Sequence, residues 1–267
     1  MVIDELWSQR DAERLSAFER AVALDDLPGG LFAIEGISKE RAAEGVALLE
    51  EWAAQVRARL GQQASPREEA IALGELLGGV LGFRLDEGKR PDGARLHGVL
   101  ARRKGRPTIL TAIWLEVGKR AGLAVQAKAF GGRLLVEVGE ASPVLVDPAA
   151  GGRLLEPSDA IGGGRGVPHS VGIEDLLAGT LDFLANVFMH RGEPVSVFRA
   201  ISLRCALLSQ APLACLQRAM LAEQLGAIGV AEELYRQVAL RFPGTEASLA
   251  AASKLITVRS RGPLLLQ

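Results

Sequence analysis

A chain of 267 residues with 48% apolar and 24% charged side chains can bury a sizeable core, which excludes disorder as its overall state and leaves one large or two modest domains. Its net charge of −1 excludes an overall basic field, so nucleic acid or an anionic membrane would need a local patch, for which Arg102 to Arg106 is the candidate. The opening MVIDELWSQRDAERL is acidic and amphipathic rather than a signal peptide, and no apolar run approaches the roughly 20 residues of a membrane span, so a cytoplasmic location is expected.

In chain order, Ile3, Trp7, Leu15, Phe18 and Val22 recur at helical spacing, and Pro28-Gly29-Gly30 is expected to close that segment. Ser38 opens a second helix whose stripe runs through Ala42, Val46, Leu49, Ala53, Val56 and Leu60. Ser65-Pro66-Arg67-Glu68 joins an N-cap serine, a proline at the first helical position and a glutamate placed for a capping box. Leu73, Leu76, Leu77 and Val80 follow as the buried face of that third helix. Gly82 to Gly93 reads as a surface loop that folds over what comes next. A short helix then carries Leu96, Val99 and Leu100, with Arg102, Arg103 and Lys104 at its negative end and Gly105 at the C′ position. That account of the basic run is preferred to a nucleic-acid patch, because no aromatic or second basic cluster accompanies it.

The stretch from Arg102 to Asp147 is the centre of the chain. Pro107 to Leu123 is apolar nearly all round, which predicts a helix buried on most sides. After Gly122 the period changes to two: Val125, Ala127 and Ala129 predict one strand and Leu134, Val136 and Val138 the next, with Gly131-Gly132 as the hairpin turn. A second turn near Ala141 leads into Pro143 to Asp147, and turns this short require antiparallel neighbours. If Val138 lies across from Pro143, Arg133 arrives beside Asp147-Pro148, and guanidinium and carboxylate should meet.

Pro148 to Pro168 is rich in glycine and without period, so the domain boundary is expected there, with residues 1–160 as one domain, 161–172 as linker and 173–267 as a helical domain. Gly162-Gly163-Gly164 lacks the lysine-serine ending of a phosphate loop and reads as linker. Beyond it Ile173, Leu177, Leu181, Leu184 and Phe188 line one helix, Phe198, Ile201, Cys205 and Leu208 the next, and Leu213 to Leu225 a third. Leu225 to Ala231, with Tyr235, Val238 and Pro243, matches the second-helix spacing of a tetratricopeptide repeat, whereas Cys215 and Arg218 occupy its usual aromatic and leucine positions in the first helix. Cys205 and Cys215 have no ligand spacing around them, so free buried thiols are expected rather than a disulfide, and no metal or cofactor site is visible.

The order of elements resembles the bacterial transglutaminase-like family first named for regulation of invasion genes, which carries tetratricopeptide-type repeats at its C-terminus. The resemblance rests on GFRLDEGKRPDGARLHGVLARRKGRPTILTAIWLEVGKRAGLAV, on LLVEV and on LVDPAAGGRLL. It implies an α+β chain: a transglutaminase-like (papain-like) core of helices and a small antiparallel sheet, followed by an all-α helical-repeat domain. In catalytic relatives a cysteine starts the central helix, and a histidine and an aspartate follow on successive strands. Here the cysteine position falls on Pro107, in Gly105-Arg106-Pro107, and the histidine position on Arg133, in Gly131-Gly132-Arg133. Only the aspartate is kept, as Asp147 in Val146-Asp147-Pro148, and Gly93-Ala94 replaces the asparagine-serine pair ahead of the helix.

Proline offers no nucleophile, and arginine stays protonated and cannot accept a proton as histidine does. Thr108 and Thr111 stand near the same helix start, but a hydroxyl needs a base, and Asp147 is expected to be held by Arg133. His97, His169 and His190 read as a surface or capping residue, a linker residue and a helix-end residue. The leading expectation is a non-catalytic interaction or regulatory protein whose helical repeats grip a protein or peptide partner, with neither nucleic acid nor membrane as partner. A second is a small anionic ligand held in the vestigial cleft of Arg106, Thr108, Arg133 and Asp147. A third is an atypical hydrolase or acyltransferase.

Overall fold

The computed structural model describes residues 7–155, 167–207 and 212–260. By contacts the chain forms two units, Ala21–Thr180 and Met1–Arg20 with Leu181–Gln267. The sequence instead suggests a break at 161–172; the contacts put it inside a helix and assign the first residues to the second unit. Ile3, Gly162 to Gly164 and Leu208 lie outside the described residues.

The first helix, α1, spans Gln9–Ala23. Pro28-Gly29-Gly30 does not close a helical segment but begins α2, Leu27–Glu35. Asp26 caps it by accepting from the Gly29 N–H, and Pro28 sits in the first turn, where a missing N–H costs nothing. Serine caps start the next two helices as expected, Ser38 for α3, Lys39–Arg57, and Ser65 with a complete capping box for α4, Pro66–Gly74. The stripe of α3 is rotated from the expected one, with Gly45, Leu49, Trp52, Ala53 and Val56 buried. The helix of α4 runs on as a π-type segment, Glu75–Val80, which buries Leu76 and Leu77 but leaves Val80 exposed.

The expected surface loop is pinned at both ends. Arg84–Leu85, β1, pairs in parallel with Lys104–Gly105, β2, on either side of α5, Leu96–Arg102. Phe83 is buried with its ring edge-on to Trp52 at 5.5 Å and to Trp114 at 6.0 Å. The left-handed residue after α5 is Arg103, at φ 60°, and not Gly105. Its guanidinium lies 4.4 Å from the Trp52 ring centre and 5.0 Å from that of Phe83, a pair of cation–π contacts that offsets the strain of a non-glycine residue in that conformation.

The central helix, α6, spans Pro107–Ala121 and ends on left-handed Gly122. It is buried on nearly every side, with Ile109, Leu110, Ile113, Trp114 and Val117 fully inaccessible, and packs on α3 and the sheet. Among the described residues the sheet has five strands rather than three: β3 Val125–Phe130, β4 Arg133–Val138, β5 Val144–Asp147, β6 Arg153–Leu154 and β7 His169–Ser170, ordered β6-β5-β4-β3-β7 and antiparallel throughout. Gly131 and Gly132, at φ 56° and 75°, make the two-residue turn that brings Phe130 opposite Arg133. His169 is therefore an edge-strand residue opposite Ala129, not part of a linker.

Between β4 and β5 the register is one residue away from the expected one, because Val138 faces Val144 rather than Pro143. A shift of one moves side chains to the other face. Here it puts Arg133 and Asp147 on the same face, where the expected register would have placed them on opposite ones.

Among its described residues the only regular structure of the second unit is helix. The end of α7, Ile173–His190, is followed by α8 Pro194–Leu207, α9 Pro212–Gln224, α10 Ile228–Arg241 and α11 Glu246–Ser260. Alanines alternate with bulky residues in its core, where Ala219, Ala222, Ala231 and Ala251 meet Phe198, Tyr235 and Val238. Trp7 packs edge-on against Phe198 at 5.8 Å, and Asp11 on α1 pairs with Arg199 at 2.8 Å.

Candidate functional site

The three positions that the resemblance aligns with a catalytic set come together around one cavity of about 580 Å³, whose lining includes Pro107, Arg133, Asp147, Leu85, Gly132 and Arg153. Each is placed by local rules. Pro107 is the first residue of α6, where its fixed φ suits a helix start. Arg133 opens β4 straight after the Gly-Gly turn. Asp147 ends β5 and caps the 3-10 turn Pro148–Ala150.

The Asp147 carboxylate is committed on both oxygens. Oδ1 accepts from the Ala149 N–H at 2.9 Å and the Ala150 N–H at 3.1 Å, and Oδ2 stands 3.6 Å from Arg133 Nη1. The last is an ion pair rather than a hydrogen bond. Its partners differ in setting, the Asp147 side chain being 6% exposed and that of Arg133 54%. The carboxylate is thus fixed by the backbone, and the guanidinium reaches into the cavity mouth.

Arg106 and Thr108, expected in the same cleft, are turned elsewhere. Arg106 Nη1 donates to the Asp86 carbonyl at 2.9 Å, and Thr108 Oγ1 accepts from Thr180 Oγ1 at 3.1 Å. Neither lines the cavity. Thr111 is fully buried in α6 and does not reach it either. The backbone N–H of His97 donates to Glu35 Oε1 at 2.8 Å, and the exposed His190 ring lies 2.7 Å from the Asn186 carbonyl, so neither imidazole joins the cluster. The basic run is absorbed into the fold, with Arg103 over two rings and Arg102 Nε donating to the Gly98 carbonyl at 3.3 Å.

Arg153 was not among the residues picked out from the sequence. It lies across from Asp147 on β6 and lines the same cavity as Arg133. A signal for it exists, since Gly151-Gly152-Arg153 repeats Gly131-Gly132-Arg133, and in both cases two left-handed glycines deliver an arginine to a strand start. Chemically the cavity offers two cations beside one committed carboxylate. Among its described lining residues there is no hydroxyl, thiol or imidazole, and among the described residues no cluster of three or more metal-ligating side chains is present.

Residues 43–162, which hold the helix start and most of the small antiparallel sheet around this cavity, match the family described as the transglutaminase-like superfamily. Across more of the chain, it is similar to a UPF0162 protein of Pseudomonas aeruginosa, 29% identical over 219 residues that cover 77% of this chain and 75% of that protein. No solved structure matches the chain significantly. The architecture is α+β, and no helix among the described residues is long and apolar enough to cross a membrane.

Proposed function

We propose that the protein is a non-catalytic, cytoplasmic transglutaminase-like protein, a pseudoenzyme whose work is protein–protein interaction or regulation. The single observation that carries this reading is the cavity at the start of α6, where a proline and an ion-paired arginine stand at the positions of a nucleophile and a proton acceptor. A thiolate–imidazole mechanism has no starting group there. The C-terminal helices supply the partner surface in the manner of tetratricopeptide repeats. The shared core of Ala231 and Tyr235 on α10 with Ala219 and Ala222 on α9 supports that, as do the exposed Leu240, Leu249 and Ile256 on α10 and α11.

Incubation of the purified chain with glutamine-containing peptides and simple amide and ester substrates should give no turnover above background. Turnover abolished by Arg133→Ala or Asp147→Asn alone would overturn the reading.

A second reading has its own observation, the paired arginines Arg133 and Arg153 at the cavity: the domain holds a small anion where a substrate stood in catalytic relatives. Inorganic phosphate or citrate should then raise the melting temperature of the wild type and leave that of Arg133→Ala unchanged. Equal shifts in both would remove it.

A further inference from the structure

We propose that Cys215 and Cys205 form a peroxide-reactive dithiol pair, in which Cys215 is oxidised first and Cys205 closes an intramolecular disulfide. Both thiols line a second cavity, of about 540 Å³, in the helical unit. Cys205 comes from α8 and is buried, with its Sγ 3.1 Å from the carbonyl oxygen of Ala214, the residue before Cys215; Cys215 comes from α9 and is half-buried. The Cys205 side chain thus already touches the backbone next to Cys215, and a disulfide of roughly 2.05 Å requires its sulfur to turn from that carbonyl to the Cys215 sulfur.

The surroundings divide the roles. Two guanidiniums share the cavity wall, Arg218 from α9 and Arg241 from α10, with Arg204 of α8 nearby and Glu19 of α1 as the carboxylate. Arg218 is held in place over the rings of Trp7, 5.3 Å away, and Phe198, 5.7 Å away. The Cys215 thiol lies below the ordinary range: the hydrogen bond from Cys205 favours its thiolate most, burial opposes, and Arg241 and Arg218 add attraction. Cys205 is pushed up by that same hydrogen bond and by burial. A cationic, partly open setting of this kind is what turns a core cysteine into a reactive one, and the sequence alone gives no hint of it.

In the first step the Cys215 thiolate attacks one peroxide oxygen, and the O–O bond breaks. The sulfur is oxidised by two electrons to a sulfenic acid, and the departing hydroxide takes a solvent proton to become water. In the second step the Cys205 sulfur attacks the sulfenic sulfur, and the S–O bond breaks. Hydroxide leaves with the Cys205 proton as a second water, so one peroxide consumes two thiols and gives one disulfide.

These are the chain's only two cysteines, so a thiol count reads this pair alone. The intact protein treated with hydrogen peroxide should lose both thiols, recover them with dithiothreitol, and yield a peptide linking Cys205 to Cys215 within one chain. In untreated protein, alkylation at pH 6 should be about tenfold faster than that of an ordinary small thiol, since the gain in thiolate outweighs its lower nucleophilicity. Cys205→Ser should stop at a sulfenic acid on Cys215 that a cyclic 1,3-diketone traps, and Cys215→Ser should leave Cys205 unreactive. The proposal fails if both thiols survive peroxide that oxidises the small thiol, if higher oxides build up without a link, if the link joins two chains, or if Cys205 proves the faster thiol. The alkylation rate and the peptide link are read on the wild type, so they test the pair even where a variant does not fold.

Discussion

Asp147 and Arg133 are partners of unequal weight. The carboxylate is buried and receives two backbone N–H groups, while the guanidinium is more than half in water and 3.6 Å away. Asp147→Ala should therefore cost about 2 kcal/mol, the loss of a cap plus the exposure of its donors, and Arg133→Ala less than about 1 kcal/mol. Urea unfolding of the two variants checks the difference. Equal losses would mean that the ion pair, not the cap, holds the strand ends. Asp11 gives a residue-scale pH dependence. Burial would raise its carboxyl, but hydrogen bonds from Ser8 and Arg199 outweigh burial and hold it below the ordinary value. A depressed carboxylate contributes stability that is complete above its unfolded value near pH 3.9 and is lost as pH falls through the folded one. Arg199→Ala should thus reduce stability at pH 7 and flatten its fall below about pH 4, as read from melting temperatures across that range.

At the scale of elements, glycines decide how closely α4 approaches the site. A Cβ on Gly78 would lie 1.8 Å from the Gly151 carbonyl oxygen, in the segment that follows Asp147. Backbone cannot swing aside as a long side chain can, so Gly78→Ala should cost about 3 kcal/mol and loosen the turn that Asp147 caps. Hydrogen exchange of the Ala149 and Ala150 amides measures the second effect. This contact also marks where legibility in the sequence ends. The caps at Ser38 and Ser65, the buried helix α6 and the β3–β4 hairpin follow from local chemistry, and the sequence shows them plainly. The opposite is true of Pro28-Gly29-Gly30, which punctuates like a turn but starts a helix because Asp26 supplies a cap. The β4–β5 register, the edge strand at His169 and the place of Arg153 across from Asp147 depend on pairing across the sheet, where one residue's shift changes the face. Pro107, Arg133 and Asp147 could be picked out as a set because the family resemblance aligns them position by position, whereas the diversion of Arg106 to Asp86 and of Thr108 to Thr180 depends on tertiary contacts.

For the whole molecule, the division into units is not a division of the sequence into halves. The helical unit takes residues from both ends: Trp7 covers Phe198, Arg218 lies over Trp7, and Asp11 neutralises Arg199. Without the first segment, Phe198 would lose an aromatic neighbour and the Arg199 guanidinium its buried carboxylate, which costs more than an exposed pair because the Asp11 side chain is only 7% accessible. A fragment that begins at Ile173, the start of α7, contains helices α7 to α11 yet lacks those contacts. It should melt lower than the same region in the full chain and bind a hydrophobic dye. In the full chain, Trp7→Ala should lower the stability of this unit by about 2 kcal/mol, since a half-buried indole loses part of what a fully buried one would. Hydrogen exchange assigns the loss: protection should fall in α8 and α9 while α6, with its own core, keeps its own. If the fragment matched the full chain in melting temperature and dye binding, the N-terminal segment would be an ornament of the helical unit rather than part of its core.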